Sequence, residues 1–152
     1  MKKIMKKILA IIIAITCVFA LTACDKDMNV TESQIDNTLM KLGFDINDIT
    51  DSIEDSDIKM VKTANNKKYQ FEYYIFKNEK LAKKAYKNNS QSFKYNTKYK
   101  GKEKSSTGYD CYIQTTDTYY NRVERIKNKL VYVSVSLNYK GDVKKTLSKI
   151  GF

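Results

Sequence analysis

Apolar residues recur along this chain in two periods, three-to-four and two, and the switch between them marks its elements. Ile35, Leu39 and Leu42 share one helical face, the signature of an amphipathic helix. Thr31 and Gln34 stand in capping-box spacing, with Val30 and Ile35 placed as a hydrophobic staple. Gly43 follows where a left-handed residue ends a helix, and Phe44 can fold back onto Leu39. In Asp45 to Asp57 the spacing of Ile46, Ile49 and Ile53 predicts a second short helix with an acidic outer face. That run has no Gly at the turn and an Ile at a ligand position, which argues against a calcium loop.

The period then shortens. Ile58 to Ala64 and Lys67 to Phe76 flank Asn65-Asn66, predicting a hairpin with a two-residue turn. That register sets Met60 against Phe71 and Ile58 against Tyr73. Asn78 caps the next expected helix, with Leu81, Ala82, Ala85, Tyr86 and Phe93 inward and Lys80, Lys83, Lys84 and Lys87 outward. Lys94 to Gly108 has no apolar period and reads as a solvated loop. Three strands follow, at Tyr109 to Thr116, Thr118 to Ile126 and Leu130 to Leu137, with Val131, Val133, Val135 and Leu137 on one face. A two-residue turn before the last strand would set Arg122 and Glu124 opposite the valines. A three-residue loop, Lys127 to Lys129, brings Tyr119 and Val123 there instead, and is preferred because burying an unpaired charge is costly. Asp142 is the expected cap of a final helix that turns Val143, Leu147 and Ile150 inward and ends at Gly151-Phe152.

The order α(α)ββαβββα describes an α+β domain, an antiparallel sheet of about five strands with the helices packed on one face. The segments 35–44 and 143–152 match at five of ten positions. A shared glycine stop with a fold-back Phe accounts for this somewhat better than duplication.

Ahead of this domain, Lys2, Lys3, Lys6 and Lys7 precede an apolar run from Ile8 to Ala20. Charged start, apolar stretch and small residues make a secretory signal; the sixteen residues from Ile8 to Ala23 fall short of the ~20 that a membrane span needs. Leu21-Thr22-Ala23-Cys24 resembles the lipobox of bacterial lipoproteins. The resemblance implies cleavage between Ala23 and Cys24 and a diacylglyceryl anchor on the Cys24 thiol. The expected organisation is a signal peptide over 1–23, a lipidated tether over 24–30 and a single domain over 31–152, held on the extracytoplasmic face of the cell membrane. Seven residues from Cys24 to Thr31 reach at most ~25 Å, so the domain works close to the bilayer.

Removing the signal lowers the net charge from +11 to +7. Residues 24–60 carry ten acids against three Lys, and 61–152 carry twenty-one basic residues against seven acids. The basic part suggests an anionic partner, with Lys94, Lys98, Lys100, Lys102 and Lys104 as possible contacts beside Tyr95 and Tyr99. A composition rich in Lys, Asn, Ile and Tyr also follows from AT-rich codons, and nucleic acid is not expected on the outer face. Cys17 leaves with the signal and Cys24 is lipidated, so Cys111 has no intramolecular disulfide partner and reads as a small buried hydrophobe.

The chain has no His, which removes imidazole metal ligands and the usual base beside a Ser or Cys nucleophile. There is no Gly-rich phosphate loop and no nucleophile elbow. No cofactor, metal or catalytic residue is expected; Glu72, Glu124 and Asp110 are the carboxylates an enzyme would have to use.

Leu42-Gly43-Phe44, Tyr73-Tyr74-Ile75-Phe76-Lys77 entering a Lys- and Ala-rich helix, 125–133, and Lys149-Ile150-Gly151-Phe152 resemble small uncharacterised lipoproteins of low-GC Gram-positive bacteria. These are packing and turn motifs, so the resemblance implies an α+β surface domain and transfers no catalytic residue. Three functions are open, in order of preference: a tethered, non-catalytic module binding an envelope protein or anionic envelope polymer, an immunity or assembly accessory, and a carboxylate enzyme. The sheet face bearing Tyr132, Ser134 and Ser136 is the expected place for a ligand.

Overall fold

The computed structural model describes residues 28–152; the expected signal peptide, Cys24 and most of the tether lie outside them. The chain is α+β. Helix α1 spans Glu32–Lys41, α2 Glu79–Lys94 and α3 Lys140–Lys149. Strands β1 (Asp45–Asp48), β2 (Ile58–Asn65), β3 (Gln70–Phe76), β4 (Lys102–Ser106), β5 (Tyr109–Thr115), β6 (Tyr119–Ile126) and β7 (Lys129–Ser136) form one sheet. Its order is β1-β2-β3-β7-β6-β5-β4, and every neighbouring pair is antiparallel. No described helix is long and apolar enough to cross a membrane.

The helices do not share one face. α1 and α3 cover the face carrying Phe71, Tyr73, Val131, Val133 and Val135. α2 lies on the other, where Ala82, Tyr86 and Phe93 meet Tyr112, Val123 and Leu130. Leu130 and Val131, consecutive in β7, are buried on opposite faces, so the start of this central strand is covered on both sides.

α1 and α3 end alike. The Phe44 amide donates to the Leu39 carbonyl at 3.0 Å and the Phe152 amide to the Leu147 carbonyl at 2.8 Å. Gly43 and Gly151 hold φ of 80° and 91°, the left-handed residue of a Schellman stop. The Thr31 capping box forms as the spacing predicts. Asp142 lies in the first turn of α3 but is not its cap; the N-cap position is Tyr139, with no side-chain bond.

Two extra strands replace expected helix and loop. The Asp45 to Asp57 segment is β1 followed by a short 3-10 turn at Thr50–Ser52. The Asp48 carboxylate accepts from the Thr50 amide at 2.9 Å, and the Val61 amide donates to the Thr50 hydroxyl at 2.9 Å. These bonds, with β1 pairing, satisfy the free edge of β2, and that outweighs the helical spacing of Ile46, Ile49 and Ile53. Ile53 is in fact exposed. β4 lies within the expected loop and is exposed throughout; its Lys102, Glu103 and Lys104 suit an edge strand that must not recruit another chain.

Both hairpin registers also differ. Asn65 pairs with Gln70 and Ala64 with Phe71, so the first turn has four residues, not two. The Asn65 side chain accepts from the Lys67 amide, and the Asn66 side chain from the Lys68 and Tyr69 amides, stabilising the longer turn locally. A bulge between Ile58 and Met60 sends Ile58 to the α2 face and Met60 to the other. At the second hairpin Ile126 pairs with Lys129, making a two-residue turn of Lys127 and Asn128, with Lys127 at φ 51°. Arg122 therefore faces Val133 and Glu124 faces Val131. The expectation failed because the charges are buried together: Arg122 Nη2 donates to Glu124 Oε2, and the Tyr109 hydroxyl donates to Glu124 Oε1 at 2.8 Å.

Candidate functional site: a polar groove beyond the end of α2

α2 is shorter than the face it covers. Phe93, near its end, stacks on Tyr132 with ring centres 5.3 Å apart. Beyond that point the sheet carries polar side chains. Gln114, Asn121 and Ser134 are directly opposed across β5, β6 and β7, so the strict two-residue alternation places all three on the α2 face.

They form one hydrogen-bonded row. Ser134 Oγ donates to Asn121 Oδ1 at 2.9 Å, and Asn121 Nδ2 donates to Gln114 Oε1 at 3.4 Å. Gln114 Nε2 in turn donates to the carbonyls of Phe93 and Tyr99, each at 2.9 Å. Gln114 is buried and fastens the connection after α2 to the sheet. Above the row lies a concavity of about 440 Å³ lined by Phe93, Asn96, Tyr99, Thr116, Thr118, Tyr119, Asn121 and Ser134. Its size falls within the ~300–1,000 Å³ of ligand sites.

The rim is an ion pair. Lys98 Nζ lies 3.0 Å from Asp117 Oδ2, and the Tyr99 hydroxyl donates to the same oxygen. The Tyr99 hydroxyl and the Lys98 ammonium hold the Asp117 carboxyl below its ordinary range.

The five expected anion contacts do not act as one patch. Lys94 pairs with Glu103 at 2.9 Å and sits 5.1 Å from the centre of the Tyr112 ring. Glu103 also accepts from the Tyr86 hydroxyl at 3.0 Å, tying β4 to α2. The Lys94 bond, against the opposing effect of burial and with help from Tyr86, lowers the Glu103 carboxyl. Lys98 closes the groove rim. Lys100, Lys102 and Lys104 are exposed, with Lys102 and Lys104 on alternate residues of β4 and so on one face.

The three carboxylates do not converge. Glu124 is on the face covered by α1 and α3. Asp110 is buried on the α2 face, where Arg125 Nε meets its Oδ2 at 2.6 Å. Glu72, on β3, accepts from the Tyr74 hydroxyl. Among the described residues no group of three or more acidic or Cys side chains is placed to hold a metal ion. Cys111 is buried, opposite Glu124 in the β5–β6 register.

Sequence reasoning singled out the face of Tyr132, Ser134 and Ser136 but missed Gln114 and Asn121. The available signal was the Gln114–Asn121 pairing across the short turn at Thr116–Thr118, which sets two amides side by side.

Neither protein-family models, nor curated proteins, nor solved structures yield a match to this chain.

Proposed function

We propose that the chain is a lipoprotein anchored through Cys24 to the extracytoplasmic face of the cell membrane, and that its domain is a non-catalytic binding module for a cell-envelope component. The observation that carries the binding reading is the groove over Asn121 and Ser134, concave and polar, beside the segment that Gln114 fastens to the sheet. Side chains capable of proton chemistry support the same reading by their commitments. Glu124 and Asp110 are each neutralised by an arginine on opposite faces of the sheet, where neither shares a substrate with the other. The anchor rests on the lipobox resemblance and the short tether.

The test is metabolic labelling with an alkyne fatty acid, followed by in-cell crosslinking of tagged full-length protein. The wild type takes the label and Cys24→Ala does not; an envelope component is captured by the wild type and lost with Tyr119→Ala. Equal labelling of both forms, or of neither, overturns the anchor. Capture indifferent to Tyr119 overturns the groove as the binding site.

A further inference from the structure

The reading of the domain as a binding module leaves the chemistry of its ligand open, and the lining of the groove narrows it. We infer that the groove takes a neutral saccharide, a hydroxyl-rich ligand with one apolar face; the inference rests on the groove being a binding site at all.

Three observations weigh against the other ligand classes. The charges at the rim are spent on each other, since Lys98 and Asp117 form an ion pair. The residues that line the concavity are all aromatic, hydroxyl or amide side chains. An anionic ligand would therefore find no uncompensated cation in the lining. A peptide that adds as a strand needs a sheet edge to pair with, whereas the groove lies over β6 and β7, both of which are flanked on either side by strands. A purely apolar ligand would bury the Asn121 amide and the hydroxyls without partners, at a cost of about 1–3 kcal/mol for each group left unsatisfied.

What the lining offers is a set of unspent hydrogen-bonding groups. Asn121 is 8% exposed and its Nδ2 carries two N–H groups, of which Gln114 takes one. The Ser134 hydroxyl donates to Asn121 and keeps its lone pairs. The side chains of Thr118 and Asn96, both exposed, make no hydrogen bond among the described residues. The Tyr119 ring, 52% exposed, stands beside them. Sugar hydroxyls donate and accept, as these groups require, and the electron-rich ring face of a tyrosine attracts the C–H face of a pyranose. Gln114 and Asn121, both buried, are joined with Ser134 in one hydrogen-bonded row before a ligand arrives, which limits the ordering cost of binding.

The test uses the full-length lipidated chain in phosphatidylcholine nanodiscs. Its probes are an array of neutral glycans, chitotetraose and maltotetraose among them, and poly(glycerol phosphate) as the charged comparison. The expected result is saturable binding of at least one neutral glycan, weakened at least tenfold by Tyr119→Ala and by Thr118→Val. Both positions are exposed, so the variants keep the wild-type melting temperature. Affinity changes less than twofold between 50 mM and 500 mM salt, on the order of what screening leaves when no charge pair forms. If only the polyanion binds, with affinity that collapses in salt, the saccharide is overturned and the binding module stands. If no glycan binds while cellular capture still depends on Tyr119, the saccharide is again overturned. Glycan binding unaffected by either substitution places the sugar elsewhere and overturns the groove as its site.

Discussion

The two faces of the sheet are built from the same strands, residue by alternate residue, yet one is closed and the other is half open. On the closed face α1 and α3 lie side by side over Phe71, Tyr73 and the valines of β7. Two short helices, each stopped by a glycine and sealed by a returning Phe, cover the centre of that face. The opposite face has only α2, and its apolar stripe runs out at Phe93. Past that point the strands switch from Tyr112, Val123 and Leu130 to Gln114, Asn121 and Ser134. Helix length and strand polarity change at the same place, so the uncovered part of the sheet stays wet without exposing apolar surface. The comparison teaches that a groove need not be excavated between elements. It arises where a covering helix stops short and the exposed rows below it are polar.

Each face buries an arginine–carboxylate pair, and the largest predicted effect falls on the closed one. Glu124 is fully buried on the closed face, among apolar side chains. Glu124→Ala leaves the Arg122 guanidinium without its counter-charge and is expected to destabilise the fold by about 3–5 kcal/mol. The double variant Arg122→Met, Glu124→Leu is expected to recover most of that loss, because apolar residues of similar volume replace a buried pair at little cost. Urea unfolding of the three proteins checks both statements; a double variant no better than the single one would mean that the pair itself stabilises the face.

A smaller effect is expected on the open face. Asn121→Ala removes the middle of the amide row, leaving the buried Gln114 Oε1 without its partner, and is expected to cost about 1–3 kcal/mol. Because Gln114 secures the carbonyls of Phe93 and Tyr99, amide exchange over 94–101 is expected to accelerate more than exchange over α1 or α3. Equal acceleration everywhere would break the distinction between the faces.

The smallest effect is that of pH, and it falls on the rim and on β4. Asp117 and Glu103 both have carboxyls lowered by their partners in the folded state. A lowered carboxyl contributes stability above its unfolded value, and that contribution is lost as pH falls through the folded one. Acidification below the ordinary carboxylate range is therefore expected to loosen the Lys98–Asp117 rim and the Lys94–Glu103 link. Both pairs are solvent-exposed and screened, so the effect stays local and global stability changes little. Amide exchange at 98–104 between pH 6 and pH 3, in low and high salt, reads it directly.

Much of the closed face was legible in the chain. Its helices were readable because their signals are local: the Thr31–Gln34 box, Gly43 before Phe44, and Gly151 before Phe152 each satisfy backbone groups within a few residues. The strands β5, β6 and β7 were readable from period-two alternation. Edge strands β1 and β4 were not, because nothing in Asp45–Asp48 or Lys102–Ser106 alternates; they pair only because β2 and β5 present unsatisfied edges. The four-residue turn before Gln70 escaped notice because Asn65 and Asn66 suit a tight hairpin equally well. The groove was half legible: Ser134 and Tyr132 were marked as a ligand face, while Asn121 and Gln114 acquire meaning only when three strands are in register.

What this sequence determines by itself is therefore whatever its residues settle within one turn of helix or one run of strand: caps, stops, apolar faces, the α+β class and the absence of imidazole chemistry. Only the tertiary structure decided where Arg122 and Glu124 go. Read singly, each is a charge too costly to bury, and the chain offers no local sign that the two will be buried together on one strand with Tyr109 across from them. The same holds for the groove, since α2 ending over one row of β5, β6 and β7 and not the next depends on packing between segments far apart in the chain. Local hydrogen bonds and periodicity act over a few residues, whereas charge pairing and helix coverage are settled by which surfaces meet.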